Sequence, residues 1–217
     1  MSIRKTELVN GEYYHIYNRG NSKKEIFHDD QDCGYFQKLL FIMNTEKRIA
    51  FRDVGVDVFK NVEKEKVVSI GAYCLMPNHF HVLIKQENEK GISIFMQKVS
   101  TAYVMYYNKK YKRTGSLFEG KFKSKYAGID SYLKYLFSYI HLNPLKIVDS
   151  NWKKNKINSA KHMAFLENHK YSSFLDYFGV ERDELQIINK EAFPDYFPTK
   201  GRFIKELSSW VCLSEFD

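Results

Sequence analysis

The stretch VVSIGAYCLMPNHFHVLIK, residues 67–85, decides the fold. Its first half is a continuous run of β-branched, aromatic and small apolar residues, the composition of a buried strand. Its second half, HFHVLIK, keeps the extended pattern, and Met76-Pro77-Asn78 between them reads as a break. Residues 67–75 and 79–85 are therefore expected to pair as an antiparallel hairpin.

Working upstream, EYYHIYN at residues 12–18 is rich in aromatic and β-branched residues and runs into Arg19-Gly20-Asn21, a strand followed by a turn. Asp29 or Asp30 can cap a helix that carries Tyr35, Phe36, Leu39, Leu40 and Met43 at helical spacing. Residues 50–66 are mixed and charged, and predict a strand start and a variable loop. Downstream, Ile94, Phe95, Val99, Ala102, Tyr103 and Tyr106 form one stripe of a helix over residues 93–107. A basic, glycine-punctuated segment follows, and KFKSKYA at residues 121–127 alternates as a strand with one charged face. A last helix starts at Asp130 or Ser131, runs through Leu142 and is stopped with the help of Pro144.

The order β-α-β-β-α-β-α predicts an α+β fold, a ferredoxin-like antiparallel sheet with helices packed on it, within residues 1–147. Residues 148–217 read as a mostly helical C-terminal extension, with Trp152, a helical stretch near His162 to Leu166, and Tyr171-Ser172-Ser173. Such a plan fixes no function.

Composition narrows the options. In 217 residues, 34 lysines and arginines face 26 acids, for a net charge of +8, which favours an anionic partner such as nucleic acid. Cys33, Cys74 and Cys212 are odd in number and far apart, so no disulfide framework or cysteine-rich zinc site is expected. No apolar run approaches the roughly 18 residues of a membrane span, and no signal peptide is evident, so a cytoplasmic location is expected.

Two elements carry chemistry. His79 and His81 stand at i and i+2 of a strand, so their imidazoles share a face while Phe80 points into the core. Tyr139 and Asn143 stand one helical turn apart on a common face. If that face meets the histidine strand, Asn143 can add an oxygen to two nitrogens, a donor set suited to Mn²⁺ or Mg²⁺. Taken alone, an H-x-H pair is commonly structural, and Tyr139 has a rival in Tyr135 on an aromatic-rich helix.

The segments YHIYNRGNSKKEIF, YCLMPNHFHVLI, GSLFEGKFKSKY and YLKYLFSYIHLNPLK resemble, in order and spacing, the single-tyrosine HUH transposases, and most of all the REP-associated tyrosine transposases. The likeness spans residues 13–146 and returns weakly at Tyr171-Ser172-Ser173. It implies that His79 and His81 are metal ligands, that Asn143 completes the metal site, and that Tyr139 is the nucleophile. It also implies a single-stranded DNA substrate with a hairpin or palindrome. Attack by Tyr139 on a phosphodiester would then free a 3′-hydroxyl and leave a 5′-phosphotyrosine that another 3′-hydroxyl can resolve, a transesterification. Both monomers and helix-exchanged homodimers fit the resemblance, with the monomer favoured. Nothing catalytic carries over to the extension, and residues 50–66 depart from the compact pattern.

For DNA contact the sharpest charge concentration is Lys109, Lys110, Lys112, Arg113, Lys121, Lys123 and Lys125 against the single acid Glu119, with Phe118 and Phe122 interleaved either for base stacking or as core residues beneath a charged solvent face. Lys109 is left out of the DNA-binding set, which is completed by Arg19, Lys23 and Lys24 beside the first strand. His15 and His141 are left out of the metal site. The rival class is a non-catalytic nucleic-acid-binding module on a ferredoxin-like sheet, which gives no reason for the histidines. A third reading, a metallophosphoesterase that activates water, would tolerate Tyr139→Phe.

Overall fold

The computed structural model describes residues 7–50, 58–60, 65–152 and 160–210. Strand β1 (Tyr13–Arg19) leads to helix α1 (Asp30–Ile42), then to the hairpin β2 (Val68–Met76) and β3 (His79–Gln86). Helix α2 (Gly91–Lys110) returns the chain to β4 (Lys123–Tyr126), and α3 (Asp130–Leu142) follows. The strands lie in the order β2-β3-β1-β4 and every pairing is antiparallel. This is the expected ferredoxin-like α+β plan.

Alternation along the strands sorts the residues onto two faces. Ile16, Ile70, Phe80, Val82 and Ile84 meet α1 and α2, where Phe36, Leu39, Phe95, Val99 and Tyr103 complete the main core. The other face carries Ala72, Cys74, Leu83, His79 and His81, and α3 lies across it through Leu133, Leu136, Phe137 and Ile140. Asp29 caps α1 by accepting from the Asp32 backbone N–H, as its sequence position indicates.

The hairpin turn is tighter than the sequence reading, because Met76 still pairs with His79 and only Pro77-Asn78 bridge the strands. Strand β4 is shorter than residues 121–127. Lys123–Tyr126 pair in register with β1 and Ala127 N–H adds a last bond to Tyr13 O, while upstream Phe118 forms an isolated bridge with Gly20. Most of residues 50–66 lies outside the described residues. Val58–Lys60 is a 3-10 turn whose Phe59 packs against Phe41 at 5.1 Å.

The extension packs back onto the sheet and onto α3. Ser172 bridges Cys74 at the outer edge of β2, with Leu75 N–H donating to Tyr171 O at 2.9 Å and Ser173 N–H to Tyr73 O at 3.0 Å. The Tyr171-Ser172-Ser173 motif thus closes an edge that would otherwise expose unpaired backbone groups. Helices α4 (Ala160–Asn168), α5 (Phe174–Phe178) and α6 (Lys200–Trp210) enclose a third cluster with Leu142, Leu145 and Trp152. Phe137 of α3 is 1% exposed, and the rings of Tyr177, Phe193, Tyr196 and Phe197 surround it at 5.6 to 6.0 Å. Full burial of one such ring contributes about 1.5–3 kcal/mol. Gly71 permits the closest approach, since a Cβ there would lie 2.8 Å from the Phe193 ring. Lys134 of α3 also pairs with Glu206 of α6 at 2.6 Å. The helix that carries Tyr139 is therefore clamped between sheet and extension. Among the described residues no helix is long and apolar enough to cross a membrane, and Cys33 and Cys74 are free and buried.

Candidate active site

The strand β3 places His79 and His81 on the α3 face, ring centroids 4.9 Å apart, while Phe80 between them is fully buried in the opposite core. The neighbouring β1 sends His15 and Tyr17 to the same face, through the register that sets Tyr17 against His81 and His15 against Leu83. From above, the Tyr139 ring meets His81 edge-on at 5.5 Å and His15 at 6.0 Å. Tyr135 stacks on Tyr139 at 5.9 Å, one turn nearer the N-terminus of α3. The histidine strand and the tyrosine helix converge, as the sequence pairing requires.

Hydrogen bonds hold both imidazoles by Nδ1. The Nδ1 of His79 lies 2.6 Å from Asn78 Oδ1, and the Asn78 amide nitrogen donates to Lys23 O at 3.0 Å. The Nδ1 of His81 lies 2.9 Å from His15 Nε2. On the other side, His81 Nε2 and Asn143 Oδ1 are both buried without a hydrogen-bond partner. Orphaned polar atoms at this depth are uncommon in a folded protein.

Those orphaned atoms are what a cation site needs. No group of three His, Cys, Asp or Glu side chains is arranged for a metal among the described residues, so a cation held by His79 and His81 would take its third protein donor from another residue type, and Asn143 offers an amide oxygen. Asn143 follows α3 directly, is 4% exposed, and its side chain lies near enough to His79 to favour the protonated imidazole slightly. Two imidazole nitrogens and an amide oxygen fit Mn²⁺ or Mg²⁺.

Burial keeps these imidazoles neutral. It lowers His15 to about 3, with the Lys125 charge adding to the effect. It lowers His79 to about 4, assisted by Lys146 and Arg19. His81 is held well below its ordinary 6.5 by burial and then by His15, His79 and Lys146. A neutral imidazole has the lone pair that ligation demands.

The same shifts predict acid sensitivity. Below pH 6.5 the unfolded chain takes up protons that folded His15, His79 and His81 refuse, so stability falls as pH drops, until His79 titrates at about 4 and His15 at about 3 in the folded state. Each histidine that stays neutral costs up to about 1.4 kcal/mol per pH unit over that window. Urea denaturation at pH 7.0 and pH 5.0 checks this, and equal midpoints would contradict it.

The basic residues separate into distinct sets. Lys123 and Lys125 pair with Tyr17 and His15, so they border the histidines on the same face. A cleft of about 400 Å³ opens at His79, lined by Tyr17, Asn18, Arg19, Lys23, Asn78, Lys123 and Lys146. Arg19 also pairs with Glu119 at 2.6 Å. Lys24 and Arg113 line a second cleft of about 580 Å³ with Asn21, His28 and Tyr107. Lys112 and Lys121 are exposed. Lys110 is committed elsewhere, bonded to Asp29 and Asp32 at 2.7 Å.

Spatial contacts place two further residues. Phe118 is 6% exposed and packs on Phe80 and Tyr103, so it is a core residue and no stacking platform. His15, set apart from the site in the sequence reading, touches both His81 and Tyr139. His141 stays outside, buried and bonded to Ser173 Oγ at 2.7 Å. Lys146, two residues past Pro144, ends the family-like segment YLKYLFSYIHLNPLK but was not singled out in the sequence.

Fold and site together define a ferredoxin-like α+β domain with an imidazole and phenol centre on the sheet face opposite its two crossover helices. The chain belongs to the IS200-like transposase family: the sequence model described as "Transposase IS200 like" matches residues 9–143, which hold all four strands, the first three helices and the whole candidate centre. Among solved structures it is similar to a REP-associated tyrosine transposase bound to a REP hairpin, at 13% identity and a TM-score of 0.54 over 85% of this chain and 90% of that one. At that identity the likeness is one of fold. No curated protein sequence matches significantly.

Proposed function

We propose that this protein is a metal-dependent single-stranded DNA endonuclease and strand transferase that acts on hairpin or palindromic DNA through Tyr139. The observation that carries the reading is the Tyr139 ring set against His81 and His15, beside two buried and unpaired ligand atoms, His81 Nε2 and Asn143 Oδ1. A divalent cation, Mn²⁺ or Mg²⁺, held by His79, His81 and Asn143 would supply charge stabilisation at a non-bridging phosphate oxygen. The Tyr139 oxygen forms a bond to phosphorus as the bond to the 3′-oxygen breaks. The phenol proton is lost, the leaving 3′-oxygen gains one, and a 5′-phosphotyrosine remains. A 3′-hydroxyl of another strand reverses the step and joins DNA.

Membership of a transposase family and the fold shared with a hairpin-bound transposase support the substrate class. The rival binding-module reading needs an open sheet as platform, but here α3 and the extension cover the histidine face. The test is incubation with hairpin-bearing single-stranded DNA and Mn²⁺ or Mg²⁺, followed by denaturing electrophoresis for a covalent adduct.

The cleft at His79 is the expected path of the cut strand. Lys123→Ala and Lys146→Ala should each weaken binding across all sequences and reduce the slope of log K against log salt by about 1. Lys110→Ala should leave that slope unchanged, because its ammonium is held by two carboxylates. Salt titrations followed by fluorescence anisotropy distinguish the two classes.

A further inference from the structure

We infer that His15 is a positioning residue that fixes His81 in the tautomer with hydrogen on Nδ1, leaving the Nε2 lone pair directed into the site. This deepens the metal-ligand reading of His79 and His81 and rests on it.

The argument begins with one shared hydrogen. His15 Nε2 and His81 Nδ1 lie 2.9 Å apart with both side chains buried, so one nitrogen donates and the other accepts. If His15 donated, the hydrogen of His81 would sit on Nε2, where no acceptor is within reach. A buried N–H without a partner is costlier and rarer than a buried lone pair without one. If His81 donates from Nδ1, its Nε2 keeps only a lone pair, which a cation can satisfy.

His79 supplies an independent comparison. Its Nδ1 faces Asn78 Oδ1, and the Asn78 amide is oriented by donation from Nδ2 to Lys23 O, so the oxygen accepts and His79 carries its hydrogen on Nδ1. With His15 accepting, the two histidines have the same tautomer and offer the same nitrogen. Outer partners of this kind orient metal-bound imidazoles, and their loss typically weakens metal affinity by about 10- to 100-fold. The sequence separates His15 from His81 by 66 positions, and only the β1–β3 register brings them together.

The test uses the full chain with ¹⁵N-labelled histidine and no added metal. Long-range proton–nitrogen NMR near pH 7 should show His81 protonated at Nδ1 and bare at Nε2. His15→Phe should move the hydrogen toward Nε2 and weaken Mn²⁺ binding, followed by electron paramagnetic resonance, by tenfold or more. His15→Gln, whose amide oxygen can accept in place of Nε2, should restore the native tautomer and most of the affinity. A native His81 hydrogen on Nε2 overturns the inference, as does a folded His15→Phe protein with unchanged tautomer and Mn²⁺ affinity. Should His15→Phe fail to fold, the native tautomer and the His15→Gln variant decide. A tautomer that shifts as stated in a native protein that binds no Mn²⁺ supports the role of His15 while refuting the ligand reading.

Discussion

Tyr139→Phe is expected to abolish the covalent protein–DNA adduct and to lower strand cleavage by roughly four orders of magnitude or more, as removal of an essential nucleophile does elsewhere. The change deletes one oxygen and keeps the ring that packs on Tyr135, His81 and His15. The variant should therefore fold and bind DNA like the native chain. Tyr135→Phe is the control. Its hydroxyl lies on the neighbouring turn, so adduct should form at close to the native rate. An adduct that survives in Tyr139→Phe and disappears in Tyr135→Phe would move the nucleophile one turn back. Cleavage that survives in both with no adduct would point to activated water, and the strand-transfer half of the proposal would fall with it.

The fold was largely legible because its signals are local. Alternation in HFHVLIK, the apolar run of β2 and the stripe on α2 each report on neighbours within one element, and the order of elements then selects the ferredoxin-like plan. The i, i+2 histidines and the i, i+4 pair Tyr139 and Asn143 were legible for the same reason. What escaped depends on register and on pairing between distant segments. His15 reaches His81 by the offset between β1 and β3, and no composition cue records that offset. The alternation of residues 121–127 did place Lys123 and Lys125 on one face, yet only pairing with β1 shows that this face is the one with the histidines. The basic cluster was over-read at Lys110, because Asp29 and Asp32 lie far away in sequence and adjacent in space. Whether Phe118 stacks on bases or fills the core stayed open in the sequence for the same reason, as its neighbours Phe80 and Tyr103 belong to other elements.

Removing one histidine of the pair should separate chemistry from binding. His79 is the cleaner position, since it is partly exposed at the mouth of the cleft, and its loss removes the hydrogen bond to Asn78 and the edge contact with the His81 ring without emptying the interior. His81→Ala also strands His15 in the interior, and an unpaired buried imidazole costs about 1–3 kcal/mol of stability. We expect His79→Ala to lower cleavage and adduct formation by about 10²- to 10³-fold, the scale of a lost electrostatic contribution in an active site. DNA affinity measured without metal should be little changed, because Arg19, Lys23, Lys123 and Lys146 remain around the cleft. The decisive feature is the dependence on cation concentration. If His79 is a ligand, the variant needs more Mn²⁺ to reach half-maximal cleavage, and added Mn²⁺ recovers part of the lost rate. A structural role predicts instead a loss that no amount of cation repairs, accompanied by a lower melting temperature. A variant that cleaves at the native rate in low Mn²⁺ would remove His79 from the site, and with it the chelating pair on which the reaction depends.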